Sequence, residues 1–238
     1  MEGYTSMRRP LILVTGVPRS GTSMVAGVLQ ICGGSFGVTD KMYANCRIQN
    51  KILKPMLHRA GVCMEGQYPF PKDMQDVMKQ ADPRFKQLVE DIIWQECPGT
   101  PIIKNSRLLL TLMVWDLSYP DAKWVIVRRH DEDIINSCLK TSYMNVWDNL
   151  DILYQAGCKT PAEGWKMWVN RYLELIQELK DNGVSYKEVY PDKIVDGDFT
   201  ELQDVVNWLG LKWQEQQAKE FIIPQLWKSI KNQNKEQL

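Results

Sequence analysis

Residues 11–23 read LILVTGVPRSGTS, an aliphatic run followed by a loop that carries a glycine at each end. The run at 11–15 is short, largely aliphatic and bounded by a proline and a glycine, which predicts a buried strand of a parallel sheet. Apolar residues then recur at helical spacing from Thr22 until Gly33 and Gly34, a pair typical of a helix end. The chain is therefore predicted to open with a strand, a glycine loop and a helix.

The strand-then-helix order returns further along the chain. Residues 101–104 and 123–129 are strand candidates. The first precedes one predicted helix, which carries Leu108, Leu112 and Trp115 and stops before Pro120. The second precedes a helix that an aspartate can cap. Such alternation favours a parallel sheet. We predict an α/β fold of the P-loop type, in three layers, with a central parallel sheet flanked by helices and a helix-rich C-terminal half. The length indicates a single domain over residues 1–238.

Composition excludes several classes of partner. Lysine plus arginine and aspartate plus glutamate each number 29, so no overall basic field would attract nucleic acid or an anionic membrane. The first apolar run is too short for a signal sequence or a membrane span, which predicts a cytoplasmic protein. The six cysteines are widely spaced and only two histidines occur, so we expect reduced thiols and no bound metal.

The loop at residues 16–23 is a candidate phosphate site. Between a strand and a helix, backbone N–H groups and the positive helix end can bind a phosphate. Gly16 and Gly21 have the spacing of a Walker A loop, but Thr22 stands where that motif has lysine, and Arg19 supplies a cation earlier. The missing lysine argues against NTP hydrolysis and favours a ligand with one phosphate in the loop.

The tract Gly-Val-Pro-Arg-Ser-Gly-Thr-Ser at 16–23 resembles the 5′-phosphosulfate loop of the PAPS-dependent sulfotransferase superfamily, in its bacterial and bacteriophage-like branch. PAPS is 3′-phosphoadenosine-5′-phosphosulfate. Members carry a second element, a strand ending in Arg with Ser eight residues later, which binds the 3′-phosphate. Arg129 and Ser137 have that spacing. The resemblance implies these nucleotide-binding residues: Pro18, Arg19, Ser20, Gly21, Thr22, Ser23, Arg129 and Ser137.

The family also places a catalytic lysine at the end of an intervening strand, where this chain has Lys104. The resemblance implies that Arg19 neutralises the leaving phosphate and that Lys104 stabilises the migrating sulfuryl group, so these two form the predicted catalytic pair. PAPS would be the co-substrate and PAP the product, with no metal. The acceptor would be a hydroxyl, or an amine, of a small molecule, carbohydrate or peptide.

The general base is left open. Many family members have His two residues after the catalytic lysine, where this chain has Ser106. Other branches have aromatic-Glu-Asn in an earlier loop, and this chain reads Tyr-Ala-Asn with Ala44 in place of the glutamate. The expected carboxylate is therefore missing, which indicates a possible loss of the base. Four other titratable residues stay outside the predicted catalytic set: Asp40, His58, Glu65 and His130.

Two alternatives and two local predictions complete the sequence analysis. The first alternative is a chain that binds PAPS or PAP without turnover, which Ala44 and Ser106 favour. The second is a P-loop small-molecule kinase, and the missing Walker lysine argues against it. Arg128 should face away from Arg129 and form a salt bridge or lie at the surface. Three tryptophans fit core packing better than an acceptor pocket: Trp147, Trp165 and Trp168.

Overall fold

The structure, a computed structural model, describes residues 10–224 and Trp227. A five-stranded sheet lies at its centre, all its strands are parallel, and their order is β2-β3-β1-β4-β5. The strands are β1 (Ile12–Gly16), β2 (Gly34–Ser35), β3 (Thr100–Lys104), β4 (Lys123–Val127) and β5 (Ser185–Val189). The predicted parallel sheet is confirmed; β2 was not predicted, because two residues are too few to form a pattern.

Helices connect the strands and lie on both faces of the sheet. The first half contains α1 (Thr22–Ile31), a π-helical turn (Ile48–Leu53) running into α2 (Lys54–Arg59), α3 (Met74–Lys79), α4 (Phe85–Glu96), α5 (Arg107–Leu110) and α6 (Leu112–Ser118). The second contains α7 (Asp131–Leu139), a 3₁₀ turn (Val146–Asp148), α8 (Leu150–Gln155), α9 (Pro161–Asp181), α10 (Pro191–Val195), α11 (Thr200–Trp208) and α12 (Glu215–Phe221). The predicted helix-rich C-terminal half is confirmed.

Side chains of β1 alternate between two hydrophobic clusters, one on each face of the sheet. Leu13 belongs to the cluster formed with α2 to α9, whereas Ile12 and Val14 belong to the cluster formed with α1, α11 and α12. Since successive side chains of a strand point to opposite faces, both faces must be covered for all three residues to be buried. This arrangement confirms the three-layer prediction.

The tryptophans expected in the core are there. Trp147, Trp165 and Trp168 are fully buried and pack edge to face in sequence. The indole N–H of Trp168 donates to the carbonyl of Gly66 at 2.9 Å. Core packing is confirmed, because all three rings are too deeply buried to line an open acceptor pocket.

The predicted continuous helix after β3 is wrong in one detail. Thr111 leaves the helical conformation, with φ of −128°, and separates α5 from α6. Its hydroxyl donates to the Arg107 carbonyl at 2.9 Å and accepts the indole N–H of Trp115 at 3.0 Å. A side chain that binds the preceding turn competes with the helical backbone, which accounts for the break.

No helix among residues 10–224 combines the length and the apolar character needed to cross a membrane.

Candidate functional site

A cavity of about 620 Å³ opens where β1 and β4 end. Neighbouring parallel strands end at the same edge of a sheet, so the loops after β1 and β4 meet there. Elements far apart in the chain contribute to its lining, which includes Arg19, Gly21, Thr22, Ser23, Met42, Arg129, Asp133, Ser137 and Trp227.

The loop after β1 is compact because its glycines allow close contacts. A Cβ on Gly16 would lie 2.4 Å from the carbonyl oxygen of Val127, and Gly21 has φ of +96°. The amide of Ser20 donates to the carbonyl of Val17 at 3.0 Å, which closes the loop. Helix α1 then begins at Thr22 with its positive end at the cavity, an arrangement that favours an anion.

Arg19 joins this loop to the region after β4. Its Nε atom donates to Oγ of Ser137 on α7 at 3.0 Å, and its Nη1 atom donates to the hydroxyl of Tyr143 at 2.7 Å. The backbone of Arg19 has φ of +76°, an uncommon conformation for a residue with a side chain. The structure thus brings together Arg19 and Ser137, two residues predicted to bind different phosphates.

Arg129 lies directly after β4 and is 9% exposed. Its Nη1 atom donates to the Arg19 carbonyl at 3.0 Å, and its guanidinium lies 4.1 Å from the ring centroid of Trp227. Burial lowers the pKa of Arg129, while the carboxylates of Asp133 and Asp192 act in the opposite direction. Arginine stays charged in proteins, so burial concentrates positive charge at this wall of the cavity.

The neighbouring residue Arg128 points the other way. Its guanidinium binds the Glu188 carboxylate at 2.9 Å. The prediction of opposite orientations for Arg128 and Arg129 is confirmed, since successive side chains of an extended segment alternate.

Lys104 lies at the end of β3 and is 7% exposed. Its ammonium group donates to the carbonyl of Met42 at 2.8 Å and to Oγ of Ser23 at 3.3 Å, and both of these residues line the cavity. Burial lowers the pKa of Lys104 to about 8; Asp40 raises that pKa and Arg107 lowers it further. Lys104 therefore reaches the cavity wall while remaining shielded from solvent.

Two residues of the loop, Pro18 and Ser20, do not line the cavity. Ser20 is fully buried, and its hydroxyl has no hydrogen-bond partner within the described residues. Pro18 belongs to the loop without lining the cavity. Within the described chain, six of the eight predicted binding residues line this one cavity: Arg19, Gly21, Thr22, Ser23, Arg129 and Ser137.

The region expected to carry a general base has no carboxylate at position 44. Ala44 is buried, and its N–H donates to the Asp40 carboxylate at 3.0 Å. His58 and His130 are exposed and line no part of the cavity. Among the described lining residues, the one carboxylate is Asp133, whose charge acts on Arg129.

No group of three or more histidine, cysteine or acidic residues in the described part of the chain is arranged to hold a metal ion. The cysteines in this part are free thiols, with Cys32, Cys138 and Cys158 buried.

Sequence reasoning missed Tyr143, Trp227 and Met42. Tyr143 binds Arg19 from 124 positions along the chain, and Trp227 covers Arg129 from beyond the last helix. Met42 takes part through its backbone carbonyl, which any residue supplies. No local pattern marks such residues, because their roles depend on contacts between distant segments.

Comparison with known proteins gives one family match. Residues 10–215 match the model of a family described as "Sulfotransferase family". No curated protein matches the chain at a significant level.

Solved structures share the fold at low identity. The sulfotransferase domain from the curacin biosynthetic pathway superimposes with a TM-score of 0.56 at 12% identity, covering 94% of this chain and 80% of that one. Sulfotransferase STF1 from Mycobacterium tuberculosis H37Rv superimposes with a TM-score of 0.54 at 18% identity, covering 90% of this chain and 71% of that one. At these identities the likeness shows the fold alone.

Proposed function

The chain belongs to the sulfotransferase family, and from that premise we propose that it transfers a sulfuryl group from PAPS to an acceptor hydroxyl or amine and releases PAP. The observation that supports this most is the convergence of Arg19, Ser137 and Arg129 on one cavity, linked by two hydrogen bonds of 3.0 Å. A nucleotide with phosphates at both its 5′ and 3′ positions requires two such anion sites within one cavity.

The 5′ side of the donor fits the glycine loop. The positive end of α1 and the guanidinium of Arg19 face the cavity there. The buried hydroxyl of Ser20, which has no partner in the described structure, is costly unless a ligand oxygen or a water accepts from it. A phosphosulfate bound by residues 18–23 would satisfy that hydroxyl.

The 3′ side of the donor fits Arg129 and Ser137. A guanidinium offers charge-assisted hydrogen bonds in a fixed plane, and a neighbouring hydroxyl adds a donor. These two residues would distinguish a 3′-phosphate from the free hydroxyl of ordinary adenosine nucleotides.

The reaction would use positive charge in place of a metal ion. As the bond from the acceptor oxygen to sulfur forms, the bond from sulfur to the bridging oxygen of the 5′-phosphate breaks, and the acceptor proton leaves to a base. By analogy with phosphoryl transfer, the transition state is loose and rich in negative charge. Arg19 would stabilise the leaving phosphate and Lys104 the sulfuryl oxygens, as donors placed in advance.

Ala44 favours one second candidate, a protein that binds PAPS or PAP without turnover. Alanine has no carboxylate, so position 44 offers no base to the acceptor. The residue is buried, and its backbone N–H donates to the Asp40 carboxylate. A base elsewhere in the chain or in the acceptor would keep the chain active, and an assay decides between the two.

Calorimetry with PAP is the first test, because it examines both phosphate sites without an acceptor. We expect micromolar binding, about −8 kcal/mol, with adenosine-5′-phosphate and ATP plus Mg²⁺ binding much more weakly. Equal affinities for PAP and adenosine-5′-phosphate would contradict the 3′-phosphate site. Tighter binding of ATP with Mg²⁺ would favour a small-molecule kinase instead.

Turnover is then tested with PAPS labelled in its sulfate and mixtures of alcohols, carbohydrates and tyrosyl peptides, in excess EDTA. Label transfer to any acceptor would exclude the binding-protein alternative. PAP binding without transfer, over all mixtures, would support it.

A further inference from the structure

The turn at residues 39–45 is organised by one carboxylate. Oδ1 of Asp40 accepts the N–H of Met42 at 2.8 Å and the N–H of Ala44 at 3.0 Å. The amide of Asp40 in turn donates to the carbonyl of Ala44 at 3.0 Å, and Thr39 pairs with Asn45 across the turn. An aspartate that binds backbone N–H groups further along the chain is a common way to stabilise such a turn.

The turn delivers a backbone carbonyl to Lys104. The oxygen of Met42 accepts the ammonium of Lys104 at 2.8 Å, and the hydroxyl of Ser23 lies 3.4 Å from the same oxygen. Tyr43 has φ of +62°, an uncommon conformation for a residue with a side chain, and the hydrogen bonds to Asp40 hold the turn in it. The position of the Met42 carbonyl therefore depends on Asp40.

Two charged groups of the described chain act on Lys104 from the elements packed around it. Asp40, from the turn, favours the charged ammonium, whereas Arg107, at the start of α5, opposes it. Arg107 also forms an ion pair with the Glu65 carboxylate at 2.7 Å. Ser23, on α1, contributes a neutral hydroxyl.

We propose that Asp40 is a positioning residue for Lys104: it shapes the turn that presents the Met42 carbonyl to the ammonium, and its negative charge offsets the positive charge of Arg107. This inference rests on the proposed function, in which Lys104 stabilises the sulfuryl group. Asp40 acts through Lys104 and the turn and is not itself in contact with the reacting atoms.

Charge and geometry can be separated by substitution. Asp40→Asn keeps an oxygen that can accept the two N–H groups but removes the charge, so the turn persists while Lys104 loses its opposing charge. Asp40→Ser also removes the charge and keeps a hydroxyl that can accept a backbone N–H, so it replaces Asp40→Asn if that variant does not fold. Asp73→Asn is the matched control, because Asp73 accepts the N–H of Gln75 at 2.8 Å in the same manner at the start of α3.

The decisive measurement is the titration of Lys104 in the full chain, followed by NMR of lysine labelled with ¹³C at Cε. The Lys104 signal is assigned by its loss in Lys104→Met. We expect a midpoint near pH 8 in the unsubstituted chain, a lower midpoint in Asp40→Asn because an opposite charge is removed, and no change in Asp73→Asn. Equal midpoints in the unsubstituted chain and in Asp40→Asn would overturn the proposal.

Because this titration needs neither donor nor acceptor, it separates the proposal from the proposed function. Absence of PAP binding and of sulfate transfer would reject the function while the titration still tests Asp40. Where transfer is observed, Asp40→Asn should lose activity several-fold above pH 7.5 and little at pH 6.5. Loss of all transfer at every pH, with the Lys104 midpoint unchanged, would instead make Asp40 the general base and overturn the positioning role.

Discussion

The Nε atom of Arg19 lies 3.0 Å from Oγ of Ser137, across 118 positions of the chain. The contact follows from the sheet, in which Gly16 at the end of β1 is in register with Val127 at the end of β4. The loop after β1 and the helix after β4 therefore start at the same edge. A cation from one and a hydroxyl from the other come to line a single cavity.

Replacing Arg129 with alanine should weaken PAP binding by roughly 10- to 100-fold, because a charge-assisted pair with the 3′-phosphate is lost. Binding of adenosine-5′-phosphate should change much less, since it has no 3′-phosphate. Calorimetry with both ligands measures the difference. Equal losses for the two ligands would show that Arg129 does not recognise the 3′-phosphate.

Arg128→Ala is the matched control for that experiment. Arg128 is the adjacent arginine and binds Glu188 on the side away from the cavity. Its removal should leave PAP affinity unchanged, which separates a specific contact from a general loss of positive charge.

Lys104→Met should reduce sulfate transfer by roughly 10²- to 10³-fold, the cost of removing one preorganised charge at the reacting group. PAP affinity should change only slightly, because PAP lacks the sulfuryl group that Lys104 contacts. The assay with labelled PAPS measures sulfate transfer, and calorimetry measures PAP affinity. A drop in PAP affinity as large as the drop in transfer would assign Lys104 to binding.

The pH dependence of stability should reveal the buried ammonium of Lys104. Its pKa is about 8 in the folded chain and close to the ordinary 10.5 when unfolded. Between these values the unfolded chain binds more protons, so stability should rise with pH over that window. Urea unfolding at pH 7 and pH 10 should show the unsubstituted chain gaining stability relative to Lys104→Met. A constant difference would mean that the folded pKa is not lowered.

The close contact at Gly16 should make it intolerant of alanine. A Cβ there would lie 2.4 Å from the Val127 carbonyl oxygen, whereas a Cβ on Gly183 would meet nothing within 4 Å. Gly183 has φ of +76°, so Gly183→Ala should cost about 1 kcal/mol of unfolding free energy from backbone strain. Gly16→Ala should cost at least about 2 kcal/mol more. Urea unfolding compares the two, and equal costs would exclude the close-contact explanation.

Trp227→Ala should weaken PAP binding about 5- to 10-fold, the worth of a partly desolvated cation–π contact. The ring lies over the Arg129 guanidinium, and its N–H donates to Asp192 at 2.8 Å, so it holds that guanidinium in one plane. Trp94→Ala is the control, because Trp94 is 82% exposed on α4 and lines no part of this cavity. An unchanged affinity in Trp227→Ala would show that Arg129 needs no such support.

Local sequence patterns were sufficient for much of the fold and for choosing the candidate site residues. The aliphatic run before Gly16 has the composition of a buried strand, and a glycine loop followed by a helix is a short-range feature of the backbone. The alternation of strands and helices predicted the parallel sheet that the structure contains. The spacing between Arg129 and Ser137 is likewise local, since it spans a strand end and one helix.

Properties that arise from packing between distant segments needed the tertiary structure. The pKa of Lys104 depends on its burial and on the balance between Asp40 and Arg107, and no stretch of sequence contains that information. The contacts of Tyr143 with Arg19 and of Trp227 with Arg129 join segments about 100 residues or more apart. The sequence alone determined which residues are candidates for binding an anion, because that choice depends on side-chain chemistry and short backbone patterns. Only the folded chain decided their distances and their charge environment, because both depend on which distant segments the sheet brings to the same edge.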